Sequence, residues 1–355
     1  MNNIVHEDIE AIIASNCIDW RLFDSKTVLI TGANGMLPSY MALTFMFLNR
    51  YHKLNVNVIL LVRNRHKAEN VFGDYINADN ISCMEQDVCE PIIYSGPIDF
   101  IIHAASQASP IYFESDPVGT ARSNIIGTDN LLRLAKEKSV TSFLYFSSST
   151  IYGFFNNTDI VLSEQITGEI NPLNVNSCYF EGKRMGENLC VSYHYQFGIP
   201  AKIVRIFHTI GPGIDINDGR AFSYFCKCIL ENKDIILKTD GSAKRTFLYV
   251  TDAVKAYFIV MMNGKSGEAY NVGSVTQEIS IIDLAQTLCQ IYNDKKLSVI
   301  VKNGKNIGNS SDMSCPVNRI IPNTDKLNQL GWHETISWQD AFMRTITSKK
   351  ENNPK

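Results

Sequence analysis

Tyr179 and Lys183 stand four positions apart, and Ser147, Ser148 and Ser149 lie upstream of them. On a helix, residues at that spacing share one face. An ammonium beside a phenol favours the phenolate, so the tyrosine can trade a proton nearer neutral pH than its reference pKa of about 10. A serine hydroxyl within reach can hold the oxygen that gains or loses that proton. This is acid–base equipment for interconverting a carbinol and a carbonyl. The ordinary alternative for Tyr-x-x-x-Lys is a surface helix with a half-buried tyrosine, and the surrounding elements decide between the two.

Those elements read as a strand–helix alternation. Thr27–Thr31 is a short buried strand, followed by Gly32-Ala-Asn-Gly35-Met-Leu-Pro38 and an apolar helix over Tyr40–Leu48. A strand, a glycine turn and a helix make a phosphate site, because backbone N–H groups and the helix dipole face the ligand. Gly32 supports the turn and Gly35 admits a pyrophosphate, while Pro38 stands where a third glycine is usual. Proline is tolerated in a first helical turn. Val56–Val62 is the next strand. It ends in Arg63-Asn-Arg65-His-Lys67, where an acidic residue would bind the ribose 2′-hydroxyl of NAD. Cations there suit the 2′-phosphate of NADP; the alternative is a solvated basic loop.

Further strands are expected at Ile81–Val88, closing on Asp87, at Ile98–Ser106, at Phe143–Ser147 and at Ala201–Phe207. His103 reads as a strand-end residue and not as a catalyst. The serines sit at the carboxyl end of their strand, the edge at which open α/β sheets bind ligands. Helices are expected over Asn124–Lys138, from Tyr179 to Phe197, over Phe222–Glu231 and over Ala253–Met262. This predicts an α/β, doubly wound parallel sheet (Rossmann) with a smaller, interleaved C-terminal substrate subdomain. The expected boundaries are 26–207 plus 240–275 for the dinucleotide unit and 208–239 plus 276–345 for the other. Residues 1–25 form an accessory helix through Ile9, Ile12 and Ile13, with Trp20, Leu22 and Phe23 packing it down. Residues 346–355 form a tail, disordered from Lys349.

Composition bounds the function. With 355 residues, 45% of them hydrophobic and 19% charged, the chain can build one large α/β unit or two modest domains. A net charge of −3 gives no basic footprint for nucleic acid. No apolar run approaches a membrane span, and His6, Glu7, Asp8 and Glu10 make the start unlike a signal peptide. Nine cysteines without a Cys-x-x-Cys pair, Cys226 and Cys228 falling in an apolar run, read as reduced thiols and a cytoplasmic protein with no metal site.

Taken together, the chain resembles the extended short-chain dehydrogenase/reductase family that modifies nucleotide sugars. The resemblance covers roughly residues 26–345. It is carried by Thr31-Gly-x-x-Gly35, Asp87-Val88, His103-Ala-Ala-Ser, Asn124-x-x-Gly127-Thr128, Ser147-Ser-Ser-Thr-Ile-Tyr152-Gly153, Tyr179-x-x-x-Lys183, Arg205-Ile-Phe-x-x-x-Gly211-Pro212, Arg245-x-Phe-x-Tyr-Val-x-Asp252, Asn271-Val-Gly273 and Leu330-Gly-Trp332. Ala105–Pro110, Cys178–Arg184 and Asn217–Arg220 are similar to the corresponding stretches of UDP-glucuronate decarboxylases.

The resemblance implies that Tyr179 is the acid/base, that Lys183 holds the nicotinamide ribose and that Ser148 binds the reacting hydroxyl. It places Gly32, Gly35, Met36 and Asp87 against the dinucleotide; Asn34, Leu37, Val88, Ala104 and Ala105 adjoin them as candidate contacts, and Arg63 favours NADP(H) over NAD(H). Ser149, His208, Arg220 and Arg245 join Ser148 on the nucleotide-diphosphate sugar, the arginines gripping the diphosphate; the alternative for each is a structural ion pair. A homodimer is also implied. The departures matter as much. Dehydratases of the family have an Asp-Glu pair after the catalytic hydroxyl residue, and the decarboxylases keep the glutamate; here Ser149 and Thr150 stand there. His208 replaces a usual asparagine. The expected activity is therefore epimerisation or keto-sugar reduction at a sugar carbinol, C4, without dehydration. The alternatives are a decarboxylase-like or 4,6-dehydratase-like enzyme and, more remotely, a non-catalytic cofactor-binding protein.

Overall fold

The structure is a computed structural model that describes residues 2–155, 160–302 and 319–352. Cys315 and residues 353–355 of the expected tail lie outside the described residues. The N-terminal half contains α1 (Asn3–Ile13), β1 (Thr27–Thr31), α2 (Met36–His52), β2 (Asn57–Val62), α3 (Arg65–Phe72), β3 (Ile81–Glu85), β4 (Phe100–His103), α4 (Pro110–Ser115), α5 (Pro117–Lys138) and β5 (Ser142–Ser148). Next come β6 (Val161–Leu162), α6 (Ser177–Phe197), β7 (Ala201–Ile206), β8 (Thr209–Ile210), α7 (Ala221–Glu231), β9 (Ile235–Leu237), β10 (Lys244–Arg245), β11 (Leu248–Tyr249), α8 (Val250–Asn263) and β12 (Ala269–Val272). The chain ends with β13 (Ile279–Ser280), α9 (Ile281–Ile291), β14 (Val299–Val301), β15 (Arg319–Pro322), α10 (Asp325–Asn328) and α11 (Trp338–Asn352).

Seven parallel strands form the main sheet in the order β12-β7-β5-β4-β1-β2-β3. Side chains alternate across a strand, so Val28 and Ile30 of β1 enter one core while Leu29 enters the other. The first core is filled from α2 and α8 by residues such as Phe45 and Phe258, the second from α5 and α6 by Leu131 and Cys190. Both faces are thus covered, which is why the strands read as unbroken apolar runs. Strand order reverses between β1 and β4, and the crevice outside their carboxyl ends is where such sheets bind ligands.

A smaller sheet, β13-β10-β15-β6, and the pairs β11-β8 and β14-β9 lie apart from the main sheet. Val161–Leu162 joins that smaller sheet from within the 26–207 stretch.

Several element bounds differ from the sequence expectation, for local reasons. α2 starts at Met36 because Gly35 is its N-cap and Pro38 fits the first turn. α5 starts at Pro117, not near Asn124, because Asp116 accepts a hydrogen bond from Gly119 N at 3.0 Å and proline occupies the first turn. β3 ends at Glu85 and Asp87 follows it. The disorder expected from Lys349 is corrected: α11 continues to Asn352, with Ile346 and Ser348 buried. α1 packs as expected through Ile9 and Ile12, with Phe23 buried, whereas Leu22 is exposed. Its Asp8 carboxylate accepts from Tyr40 Oη (2.8 Å), Tyr249 Oη (2.7 Å) and Arg344 Nη2 (2.8 Å), tying α1 to α2, β11 and α11.

Candidate active site

The turn after β1 is built for close approach. Gly32 has φ +62°, and a Cβ there would lie 2.8 Å from Ala105 Cα. A side chain at this point would therefore push the β1 turn from the β4 loop. Thr31 Oγ1 accepts from Ala104 N (3.2 Å) and Ala105 N (3.1 Å), which holds that loop in place. Gly35 caps α2 without a side-chain hydrogen bond, so no side-chain cap competes for the backbone N–H groups of Met36 and Leu37. Bare backbone at a helix N-terminus fits a dinucleotide diphosphate. Met36 and Leu37 follow on α2, and Asn34 Nδ2 lies 3.5 Å from Asn64 O beyond β2. Arg63 is exposed at the end of β2. Arg65, by contrast, pairs with Glu69 on its own helix at 3.1 Å. Asp87 is half-buried and accepts from Cys89 N at 2.8 Å, and Val88 is buried behind it.

His103 is the strand-end residue the sequence suggests. It is 1% exposed, sits 2.9 Å from Thr31 Oγ1 and 3.1 Å from Thr128 Oγ1, and burial together with the Lys183 charge brings its pKa down to about 3.

Ser148, Tyr179 and Lys183 meet at the carboxyl end of β5, all buried. Ser148 ends the strand, and α6 presents Tyr179 and Lys183 to it one turn apart. Lys183 Nζ donates to Phe146 O at 2.6 Å and lies 5.8 Å from the Tyr179 ring centre. Burial brings the Lys183 ammonium down to about 7, with the Glu187 carboxylate opposing it. Tyr179 shifts in the direction opposite to the sequence expectation. Burial pushes its phenol above the ordinary range, and the Ser148 hydroxyl and the Arg220 charge only partly offset this. Desolvation outweighs both. Thr150 donates to Ser148 Oγ from its N (3.2 Å) and its Oγ1 (3.0 Å), and Ser149 adjoins them, half-buried.

Arg220, whose charge reaches the phenol, stands with Arg245 near His208. Arg220 pairs with Asp218, Nε donating at 2.7 Å, and its guanidinium lies 4.7 Å from the Phe222 ring centre. The ion-pair alternative for Arg220 is therefore present, yet its charge also reaches both Tyr179 and His208. His208 packs edge-on to Phe222 and Phe247, both at 5.9 Å, and burial followed by the Arg245 and Arg220 charges brings it down to about 3. Arg245 sits on β10 and donates from Nη1 to Lys244 O at 2.7 Å.

A polar network beneath the site escaped sequence reasoning. Ser147 Oγ donates to Glu187 Oε1 at 2.5 Å, and Arg205 on β7 pairs with Glu187 at 2.8 Å. Arg205 also donates to Tyr152 Oη (3.1 Å), which donates to Asn271 Oδ1 (2.6 Å). Helical spacing carried the missing signal, since Glu187 lies four residues after Lys183, on the same face of α6.

The doubly wound parallel sheet with these βα loops at its edge is a Rossmann-type α/β fold. The sequence model of the NAD dependent epimerase/dehydratase family matches residues 28–273. UDP-glucuronic acid decarboxylase 1 of Xenopus tropicalis is 31% identical over 325 residues, 91% of this chain and 72% of the relative. UDP-glucuronic acid decarboxylase 3 of Arabidopsis thaliana is 33% identical over 271 residues, 75% of this chain and 74% of the relative. UDP-glucose 4-epimerase of Thermotoga maritima, solved with UDP-glucose, superposes with a TM-score of 0.77 at 20% identity, covering 92% of this chain and 99% of that one. UDP-glucuronic acid 4-epimerase of Bacillus cereus, solved with NAD, gives 0.75 at 22% identity with the same coverage. The chain belongs to the NAD dependent epimerase/dehydratase family.

Proposed function

We propose that this protein transfers hydride at a carbinol or carbonyl carbon of a nucleotide-diphosphate sugar, C4, without loss of water or carbon dioxide. The observation that carries the reading is the meeting of Ser148, Tyr179 and Lys183 at the sheet edge, next to positions 149 and 150 that hold Ser and Thr instead of carboxylates. A bound nicotinamide dinucleotide supplies the hydride acceptor or donor. Gly32, Gly35, Met36, Asp87 and Ala105 would hold it, and Arg63 inclines the site to NADP(H). Tyr179 takes or gives the hydroxyl proton, Ser148 holds the same oxygen, and Lys183 lends charge to the phenolate. Arg220 and Arg245 bind the diphosphate, and a neutral His208 offers a hydrogen bond without adding a third cation. Residues 208–239 and 276–345 would form the sugar-nucleotide side, and the protein would work as a cytoplasmic homodimer.

Return of hydrogen to the opposite sugar face gives epimerisation; consumption of NADPH on a keto sugar gives reduction. A second reading, UDP-glucuronate decarboxylation, is favoured by the 31% identity to a decarboxylase. A threonine hydroxyl cannot serve as a carboxylate base near pH 7. Mass spectrometry of products from a panel of nucleotide sugars tests the two: unchanged mass is epimerisation, a gain of two hydrogens is reduction, and loss of carbon dioxide or water refutes the proposal.

A further inference from the structure

The short helix α4 touches both halves of the site. Its Phe113 is 3% exposed and lies nearly parallel to the Tyr179 ring, with centroids 4.7 Å apart and planes at 16°. Phe180 closes this cluster edge-on, 6.3 Å from Phe113 and 6.4 Å from Tyr179. At the start of the helix, the Ser109 hydroxyl donates to Asp218 O at 2.8 Å. Asp218 is the carboxylate that pairs with Arg220. Beneath the helix, Gln107 donates to Asp116 Oδ2 at 2.9 Å and accepts from Thr120 Oγ1 at 2.9 Å, which anchors both ends of α4 to α5. A stacked ring offers no hydrogen bond, so Phe113 keeps one face of the phenol dry and fixes its plane.

We infer that Phe113 and Ser109 are positioning residues: Phe113 sets the plane and dryness of the Tyr179 phenol, and Ser109 couples α4 to the turn that carries Arg220. The inference rests on the reading of Tyr179 as acid/base and Arg220 as a diphosphate contact.

The first test needs no turnover. Phenol titration is followed by ultraviolet difference spectroscopy in the wild type and in Phe113→Leu, each read against the matching Tyr179→Phe blank. Leucine leaves the ring face open to water, so the Tyr179 titration should move down towards its ordinary value. An unmoved titration overturns the role of Phe113 whatever the reaction proves to be. With a substrate in hand, Phe113→Leu should lower kcat about tenfold while KM stays within about twofold, and Phe113→Tyr should restore kcat. Equal losses in both variants, or a loss confined to KM, overturn it. Ser109→Ala should weaken binding of UDP several-fold at unchanged melting temperature, and wild-type UDP affinity overturns the coupling. A wild type that turns over no nucleotide sugar refutes the reaction class, while the titration and UDP binding still decide this inference.

Discussion

The Thr150 hydroxyl donates to Ser148 Oγ across 3.0 Å, and the Thr150 N–H donates to the same atom at 3.2 Å. With both approaches occupied by donors, the Ser148 proton is left to point at Tyr179 and at whatever oxygen lies between them. A residue standing where the sequence resemblance leads one to expect a carboxylate is thus built into the hydrogen-bonding of Ser148. Thr150→Val should cut turnover by roughly five- to tenfold, since one neutral hydrogen bond is worth about 1 kcal/mol. Tyr179→Phe should remove most activity while leaving dinucleotide affinity nearly intact. Steady-state kinetics beside a cofactor titration check both, and full activity in either variant contradicts the assigned roles.

Arg63 follows the strand end at which an NAD-binding Rossmann fold ordinarily carries an acid, and it is exposed. NADP should therefore bind more tightly than NAD, and Arg63→Asp should lower NADP affinity much more than NAD affinity. Calorimetric titration of both cofactors decides it; equal affinities, or tighter NAD, would sink the preference.

Glu187 and Arg205 form a buried pair, with side chains 12% and 11% exposed. Removing one partner strands a charge in the core, so Glu187→Gln should cost about 3–5 kcal/mol, and joint replacement by Leu and Met should cost less than that single change. Urea unfolding of the three proteins measures this. A single variant as stable as the wild type argues that water reaches the pair.

His103 and His208 are both held neutral, near 3, by burial first and by neighbouring cations second. The unfolded imidazoles keep a pKa of about 6.5. On acidification below that value the unfolded chain takes up protons that the folded chain refuses, so stability falls from pH 6.5 down towards 3, by at most about 1.4 kcal/mol per pH unit for each imidazole. In His208→Asn the slope should drop by one proton. Denaturation midpoints measured from pH 4.5 to 7 check the sign, and parallel profiles for the two proteins would rule out His208.

α5 and α6 expose Ile125, Met185, Val191 and Phe197 on their outer side. A paired four-helix contact between two copies would bury them, so light scattering at micromolar concentration should report a homodimer. Met185→Glu together with Val191→Lys should give a monomer, and a monomeric wild type contradicts the pairing.

How much of this was legible before the fold was known depends on the range of the interactions. Strand runs such as Val28–Thr31, the glycine turn at Gly32 and Gly35, and the one-turn spacing of Tyr179 and Lys183 are local patterns. Backbone sterics and helical periodicity determine them within a few residues, so the parallel sheet and the catalytic candidates could be read directly. Tertiary structure decided what local pattern does not encode. The direction of the Tyr179 shift depends on desolvation by residues distant in sequence, Phe113 among them. The partner of Glu187 is Arg205 on a separate strand, and the turn bearing Arg220 is reached from Ser109, far upstream. α11 is seated by its buried Phe342, Ile346 and Ser348, whereas the polar sequence from Lys349 alone suggested a loose tail. Burial and charge in a protein are sums over every neighbour, and the neighbours exist only once the chain has folded.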